Sequence, residues 1–256
     1  MLFSAKDLYV HFDGLVALDN FSLTVAKGEI VAVIGPNGSG KTTFFNTISG
    51  FVSPERGQIM FNAVDITNIS PHKVAELGIA RTFQNLELFP YLTVMENVLV
   101  GLHERISKRQ ALVNMVSRAE RQRQELLVLE ILDFMGISGF EKSRPAGMPF
   151  GIQKLVELAR ALAVKPKLIM LDEPAAGMNE QETAEIGKII TDIRDKLKIT
   201  VLLVEHDMSL VMGISDRVAV LNSGKLLAEG APDLVKTDPQ VLEVFLGTEH
   251  EGNGHA

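Results

Sequence analysis

Glu29 to Asn46 read EIVAVIGPNGSGKTTFFN, and this stretch decides the fold. Ile30–Ile34 is a short, uninterrupted, β-branched apolar run, the pattern of a strand covered on both faces. The amphipathic run from Phe44 onward reads as a helix. Between them stand Gly35, Pro36, Asn37, Gly38, Ser39, Gly40, Lys41, Thr42 and Thr43. G-x-x-x-x-G-K-[ST] between a strand and a helix is a loop that cradles phosphates. Its glycines let the backbone curl and turn several N–H groups inward, and the helix N-terminus adds a partial positive charge. Lys41 is placed to reach the β- and γ-phosphates of a nucleotide, and the Thr42 hydroxyl to bind Mg²⁺.

Two further apolar runs, Leu168–Leu171 and Thr200–Val204, have the same buried-strand character, and each also ends in polar chemistry, DEP and EHD. Ligands of open α/β sheets bind beyond the carboxyl ends of the strands, so three such ends predict one shared site. Asp172 is the expected partner of the magnesium, and Glu173 can accept a proton from an attacking water. The plainer reading is that both cap a following helix. His206 can hydrogen-bond a γ-phosphate and sense its presence. As a lone residue it would be structural, but His11, His72, His103, His250 and His255 sit in no comparable setting.

The remainder organises around this core. Residues 1–31 and 57–67 alternate apolar and polar, predicting an antiparallel β region. Gly101 to Met135 reads as helix, as do residues 153–164, which stop at Lys165-Pro166. RVAVLNSGKLLAEG predicts a hairpin around Asn222-Ser223-Gly224. The fold class is therefore α/β: a phosphate-loop NTPase core with a mostly parallel sheet, an N-terminal antiparallel β subdomain and an α-helical subdomain inserted at about 90–150. Residues 1–247 form one nucleotide-binding domain, and 248–256 lie within a polar, frayed tail.

Composition narrows the class. The 256 residues are 46% hydrophobic and 22% charged, enough for a sizeable core. A net charge of −7 argues against a general nucleic-acid footprint. The absence of cysteine removes disulfides and thiolate metal sites. No window holds the roughly 18 apolar residues of a spanning helix. Arg105, Lys108, Arg109, Arg118, Arg121 and Arg123 form a basic run, but Glu104, Glu120 and Glu125 interrupt it, so it reads as a solvated helix.

From about residue 4 to 247 these motifs resemble the nucleotide-binding subunits of ABC transporters. The resemblance implies ATP and Mg²⁺ as ligands, with Phe12 stacking on adenine. Gln84, in RTFQNLELFP, would touch magnesium and link to the membrane partner, and Arg81 to Pro90 would be the transmission loop. Ala176–Asn179 stands where that family's inter-subunit loop follows DEP. The signature that binds the opposite subunit's γ-phosphate corresponds to Met148, Pro149, Phe150, Gly151 and Ile152. It departs from the family pattern: Pro149 replaces a phosphate-contacting serine and can donate no N–H, and Ile152 replaces a glutamine.

Within that family the chain is most similar to one of the two ATPase subunits of branched-chain amino acid importers. RTFQNLELFPYLTVMENVLVG, the P-F-G signature, PAAGMN and GKLLAEGAPDLV carry the likeness. It implies a head-to-tail ATP sandwich with a second, different ATPase, and two transmembrane permease subunits contacted near Gln84 to Val94. It also implies dependence on an external solute-binding protein and a peripheral location on the cytoplasmic face of the inner or plasma membrane. Glu173, His206 and Gln84 would be the catalytic residues, with Thr42, Gln84 and Asp172 as metal ligands. Rival readings are a urea or short-amide importer subunit, a soluble ABC-type ATPase acting on nucleic acid or ribosomes, and a regulatory module without hydrolysis. One cassette and an acidic balance oppose the soluble ATPase; intact Glu173 and His206 oppose the regulatory module.

Overall fold

The computed structural model describes residues 1–103 and 118–251. Glu104, Arg105, Lys108 and Arg109, four of the nine charged residues named above, lie outside these residues, as does His255. In chain order the strands are β1 (Phe3–Phe12), β2 (Leu15–Val25), β3 (Ile30–Ile34), β4 (Arg56–Phe61), β5 (Val64–Asp65), β6 (Ile79–Arg81), β7 (Leu168–Asp172), β8 (Thr200–Val204), β9 (Arg217–Asn222) and β10 (Lys225–Gly230). The described helices are α1 (Lys41–Ile48), α2 (Pro71–Glu76), α3 (Val94–His103), α4 (Arg118–Phe134), α5 (Phe150–Ala163), α6 (Glu180–Asp195), α7 (Met208–Ile214), α8 (Pro232–Lys236) and α9 (Pro239–Glu251).

The chain divides into two units, the first made of Met1–Val74 with Ile190–Ala256 and the second of Ala75–Ile189. In the first, β1 and β2 form the expected antiparallel hairpin, and β4 and β5 extend that sheet. Alternation does the work: Phe3, Ala5, Leu8 and Val10 are buried while Lys6, Asp7 and His11 face solvent. The antiparallel region stops at Val25, because β3 belongs to a different sheet. There β3 runs parallel to both β8 and β9, and β10 returns antiparallel on β9. Every residue of β3 and of β8 is buried, which is why both runs are apolar without alternation. The β9–β10 hairpin turns through Ser223 and Gly224, both at positive φ. Phe44 of α1 packs edge-on against Phe21 at 4.8 Å and Phe3 at 6.3 Å, fixing the helix that follows the phosphate loop.

In the second unit β6 and β7 pair in parallel, Ile79 opposite Leu168 and Arg81 opposite Met170. Helices α3, α4 and α5 pack together as the inserted helical layer. Gly101 lies at the α3–α5 crossing, where a Cβ would come within 2.3 Å of the Arg160 carbonyl oxygen. Thr93 and Glu96 form a reciprocal capping box at the start of α3. Helix α5 begins at Phe150, three residues before the span expected from sequence, because Pro149 sits at the N-cap and pre-sets the entry.

One expectation fails at the C-terminus. The expected frayed tail covers 248–256, but helical backbone runs to Glu251. Asp238 accepts from the Gln240 N–H and Val241 is buried, so α9 is nucleated and anchored early and propagates into polar sequence.

Candidate functional site

In the first unit the loop after β3 is built from backbone. Gly35 and Gly40 sit at φ 153° and 111°. A Cβ on Gly35 would lie 2.0 Å from the Leu221 carbonyl oxygen, and one on Gly40 would lie 2.4 Å from that of Ala17. Only glycine lets the loop wedge between those strands. Lys41 is 6% exposed, and its Nζ donates to the Gly35 and Pro36 carbonyls at 2.8 and 2.9 Å. Its charge is thus held directly beneath the loop. The buried Ser39 Oγ has no hydrogen-bond partner among the described residues. Helix α1 starts at Gly40 without a side-chain cap and without an acidic residue in its first turn. Its N-terminal field is therefore uncompensated by carboxylate, the arrangement that favours an anion. Thr42 is exposed and Thr43 half-buried; Asn37 and Gly38 are exposed.

The register of β3 on β8 sets Val33 opposite Val204, so the loops beyond Ile34 and Val204 leave the same sheet edge. His206 is exposed in the second of them. Buried Glu205 shapes this loop by accepting from the N–H groups of His206 and Asp207 at 2.7 and 3.3 Å. Asp207 then caps α7, accepting from the Ser209 and Leu210 N–H groups. The Ser209 hydroxyl, followed by these amides, holds its carboxyl below the usual range. Phe12 ends β1 beside the Asp13-Gly14 turn, 45% exposed.

The second unit gathers the carboxylates. Arg81 Nη2 donates to Asp172 Oδ2 at 2.8 Å, with both side chains buried. The Asp172 N–H donates to Thr82 Oγ1 at 3.3 Å, and Gln84 Nε2 donates to Glu173 Oε2 at 3.0 Å. Glu173 adopts φ 50°, a left-handed conformation uncommon for glutamate, immediately after the strand. Neither carboxylate caps the next helix: Asn179 does, in a reciprocal box with Glu182. The loop that follows Gln84 is also pinned, because the Asn97 amide donates to the carbonyls of Phe89, Leu92 and Thr93.

The variant signature lies at the start of α5. Pro149 is the N-cap and makes no side-chain cap, Met148 accepts from Gln153 Nε2, and Phe150 is 44% exposed. A Cβ on Gly151 would sit 3.1 Å from a Glu182 carboxylate oxygen. Further along, Lys154 and Glu157 are buried on the inner face of the helix. Burial pushes the Glu157 carboxyl up; Lys154, the Phe83 N–H and Arg160 oppose the shift.

The motif reading missed Arg81 as partner of Asp172, and missed Lys154 and Glu157 altogether. The first carries no local signal, since its partner is 91 residues away. The second did: charges fall on the face of α5 that also carries buried Leu158 and Ala161. Among the described residues no group of three or more His, Asp or Glu side chains is arranged to hold a metal by itself.

Comparison with known proteins gives one answer. The family profile described as "ABC transporter" matches residues 18–176, and "Branched-chain amino acid ATP-binding cassette transporter" matches residues 225–251. The high-affinity branched-chain amino acid transport ATP-binding protein LivG of Escherichia coli K12 is 38% identical over 96% of this chain and 98% of its own. The corresponding protein BraF of Pseudomonas aeruginosa is 37% identical over the same shares. An ATP-binding cassette of an ABC transporter, solved in its ADP conformation, superposes with a TM-score of 0.85 at 33% identity, covering 96% of this chain and 98% of that one.

Proposed function

The chain belongs to the ABC transporter family, and from that premise we propose that it is the ATP-hydrolysing subunit that powers uptake of branched-chain amino acids through separate membrane subunits. The observation that carries the nucleotide reading is the glycine-walled loop closed over the buried Lys41 ammonium. An uncapped helix start and an unpartnered buried hydroxyl suit it to a polyphosphate. The solute follows from the relatives' names and from the match over residues 225–251.

In this reading Gly35 to Thr43 hold the triphosphate, Lys41 meets its β- and γ-oxygens, and Phe12 stacks on the base. Thr42, Gln84 and Asp172 offer the hard oxygen donors that Mg²⁺ takes, and the ion would offset phosphate charge there. Glu173 accepts a proton from the attacking water, with its carboxylate oriented by the Gln84 amide. His206 holds the γ-phosphate. Met148 to Gly151 face the nucleotide of a second, different ATPase, and the departure at Pro149 and Ile152 supports a heterodimer. The loop from Gln84 to Val94, with exposed Phe89 and Tyr91, meets the permease subunits at the cytoplasmic face of the membrane. Among the described residues no helix is long and apolar enough to cross a membrane.

The test is reconstitution with the permeases, the second ATPase and the solute-binding protein in vesicles. ATP inside should drive uptake of labelled leucine, and omission of this chain should abolish it. Uptake of urea but not leucine would overturn the solute; no calorimetric binding of Mg·ATP would overturn the function.

A further inference from the structure

Helix α5 carries two charges where its pattern calls for apolar residues. Lys154 and Glu157 are 4% and 2% exposed, and their charged atoms stand 4.0 Å apart. A buried ion pair is weak support for a fold, because desolvating both charges can outweigh their attraction. An apolar pair of similar volume would serve the helix as well. The pair's other contacts give it a different task.

Both side chains grip the backbone of the segment that carries Gln84. The Phe83 N–H donates to Glu157 Oε1 at 3.3 Å, and Lys154 Nζ donates to the Gln84 carbonyl at 3.2 Å. Arg160, two turns along from Lys154, donates to the Glu87 carbonyl. The same segment is fastened on its other side to the strand end that carries the carboxylates: Arg81 donates to the Asp172 carboxylate, Thr82 Oγ1 accepts from the Asp172 N–H, and Gln84 donates to the Glu173 carboxylate. Lys154 Nζ also stands 5.8 Å from the Phe150 ring centre, within cation–π range of the variant signature. The pair, with Thr82, Leu171 and Pro174, lines a small cavity of about 10 Å³.

We propose that Lys154 and Glu157 are positioning residues for hydrolysis: they hold Phe83 and Gln84 from the signature helix, so that the Gln84 amide stays seated on the Glu173 carboxylate. The assignment rests on the reading of Glu173 as the base. Neither residue touches the reacting atoms; each acts through the backbone of the Gln84 segment. Because the two side chains also hold each other, loss of one loosens both grips.

The test uses the full-length chain, alone for exchange and in its transporter complex for turnover. The double variant Lys154→Met with Glu157→Leu removes both grips without leaving a lone buried charge. Amide exchange at Phe83 should accelerate by about tenfold or more as its N–H loses the Glu157 carboxylate. Turnover should fall by about 10²-fold, the size of a misplaced catalytic group. Calorimetric affinity for ATP without Mg²⁺ should stay within about twofold, since the Gly35 to Thr43 loop is untouched. Glu157→Gln keeps an acceptor for the Phe83 N–H and should retain the exchange protection. If the double variant does not fold, Lys154→Met against Glu157→Gln carries the same exchange comparison. Wild-type exchange at Phe83 in the double variant, or a loss of turnover without faster exchange, overturns the proposal. A wild-type chain that neither binds nor hydrolyses ATP overturns the functional reading instead, because the exchange is measured without nucleotide.

Discussion

At the phosphate loop Lys41 donates to carbonyls six and five residues before it; at the carboxylate cluster Arg81 and Gln84 reach 91 and 89 residues along the chain to Asp172 and Glu173. One site is made by backbone conformation, with glycines wedged between strands. The other is made by side chains that two parallel strands bring to a common edge. A backbone-made site fails through steric overlap and tolerates almost no substitution. A side-chain-made site fails through unpaired charge and can be repaired by removing both partners. The two sites thus fail in different ways.

The largest effect that follows belongs to the carboxylates. Glu173→Gln removes the proton acceptor proposed above while leaving Lys41 and its loop intact. Turnover should fall by about 10² to 10⁴-fold, the usual contribution of a general base. ATP affinity measured by calorimetry should be unchanged, and ATP should become trapped in a stabilised dimer. Wild-type hydrolysis in this variant would remove Glu173 from the mechanism. Next in size is Arg81→Met, which leaves the buried Asp172 carboxylate without its cation. Breaking a buried pair in this way costs about 3–5 kcal/mol, read from the urea midpoint. Adding Asp172→Leu should recover much of the loss. A double variant no more stable than Arg81→Met alone would mean that the pair is not what Arg81 contributes.

The same contrast decides what could be read from sequence. The phosphate loop was legible because its determinants are contiguous: three glycines, a lysine and two flanking patterns that switch period. The parallel strands were legible because burial on both faces leaves no alternation in Ile30–Ile34 or Thr200–Val204. The partners of Asp172 and Glu173 were not, since nothing in DEP specifies which of the chain's cations or amides will arrive beside it. Gln84 was placed by family likeness alone. The C-terminal boundary was misplaced because helix propagation past Val241 depends on an anchor upstream rather than on the polar residues it passes through.

A glycine comparison sharpens the steric half of the contrast. Gly40→Ala adds a left-handed penalty of about 1–2 kcal/mol and an overlap of about 1–3 kcal/mol with the Ala17 carbonyl and Leu18. Thermal melting should register the sum, and ATP affinity should fall with it. Gly38→Ala is the control: φ is 78° but no atom lies within 4 Å of its Cβ position, so only the conformational penalty applies. Equal losses at the two positions would mean that wedging between strands contributes nothing.

The smallest effect tests the loop that presents His206. Asp207 caps α7 through two N–H groups, and Asp207→Ala should cost about 1 kcal/mol, the usual value of such a cap. The pH dependence has a fixed sign. The folded carboxyl titrates below the ordinary aspartate value, chiefly through the Ser209 hydroxyl, so its contribution is full above that ordinary value. It is lost as pH falls through the lowered folded value. Wild type and variant should therefore differ at neutral pH and converge in acid, measured as urea midpoints across the series. Asp207 is partly exposed, so salt should shrink the difference modestly. A gap that persists in strong acid would assign the loss to the shape of the His206 loop rather than to the ionised cap.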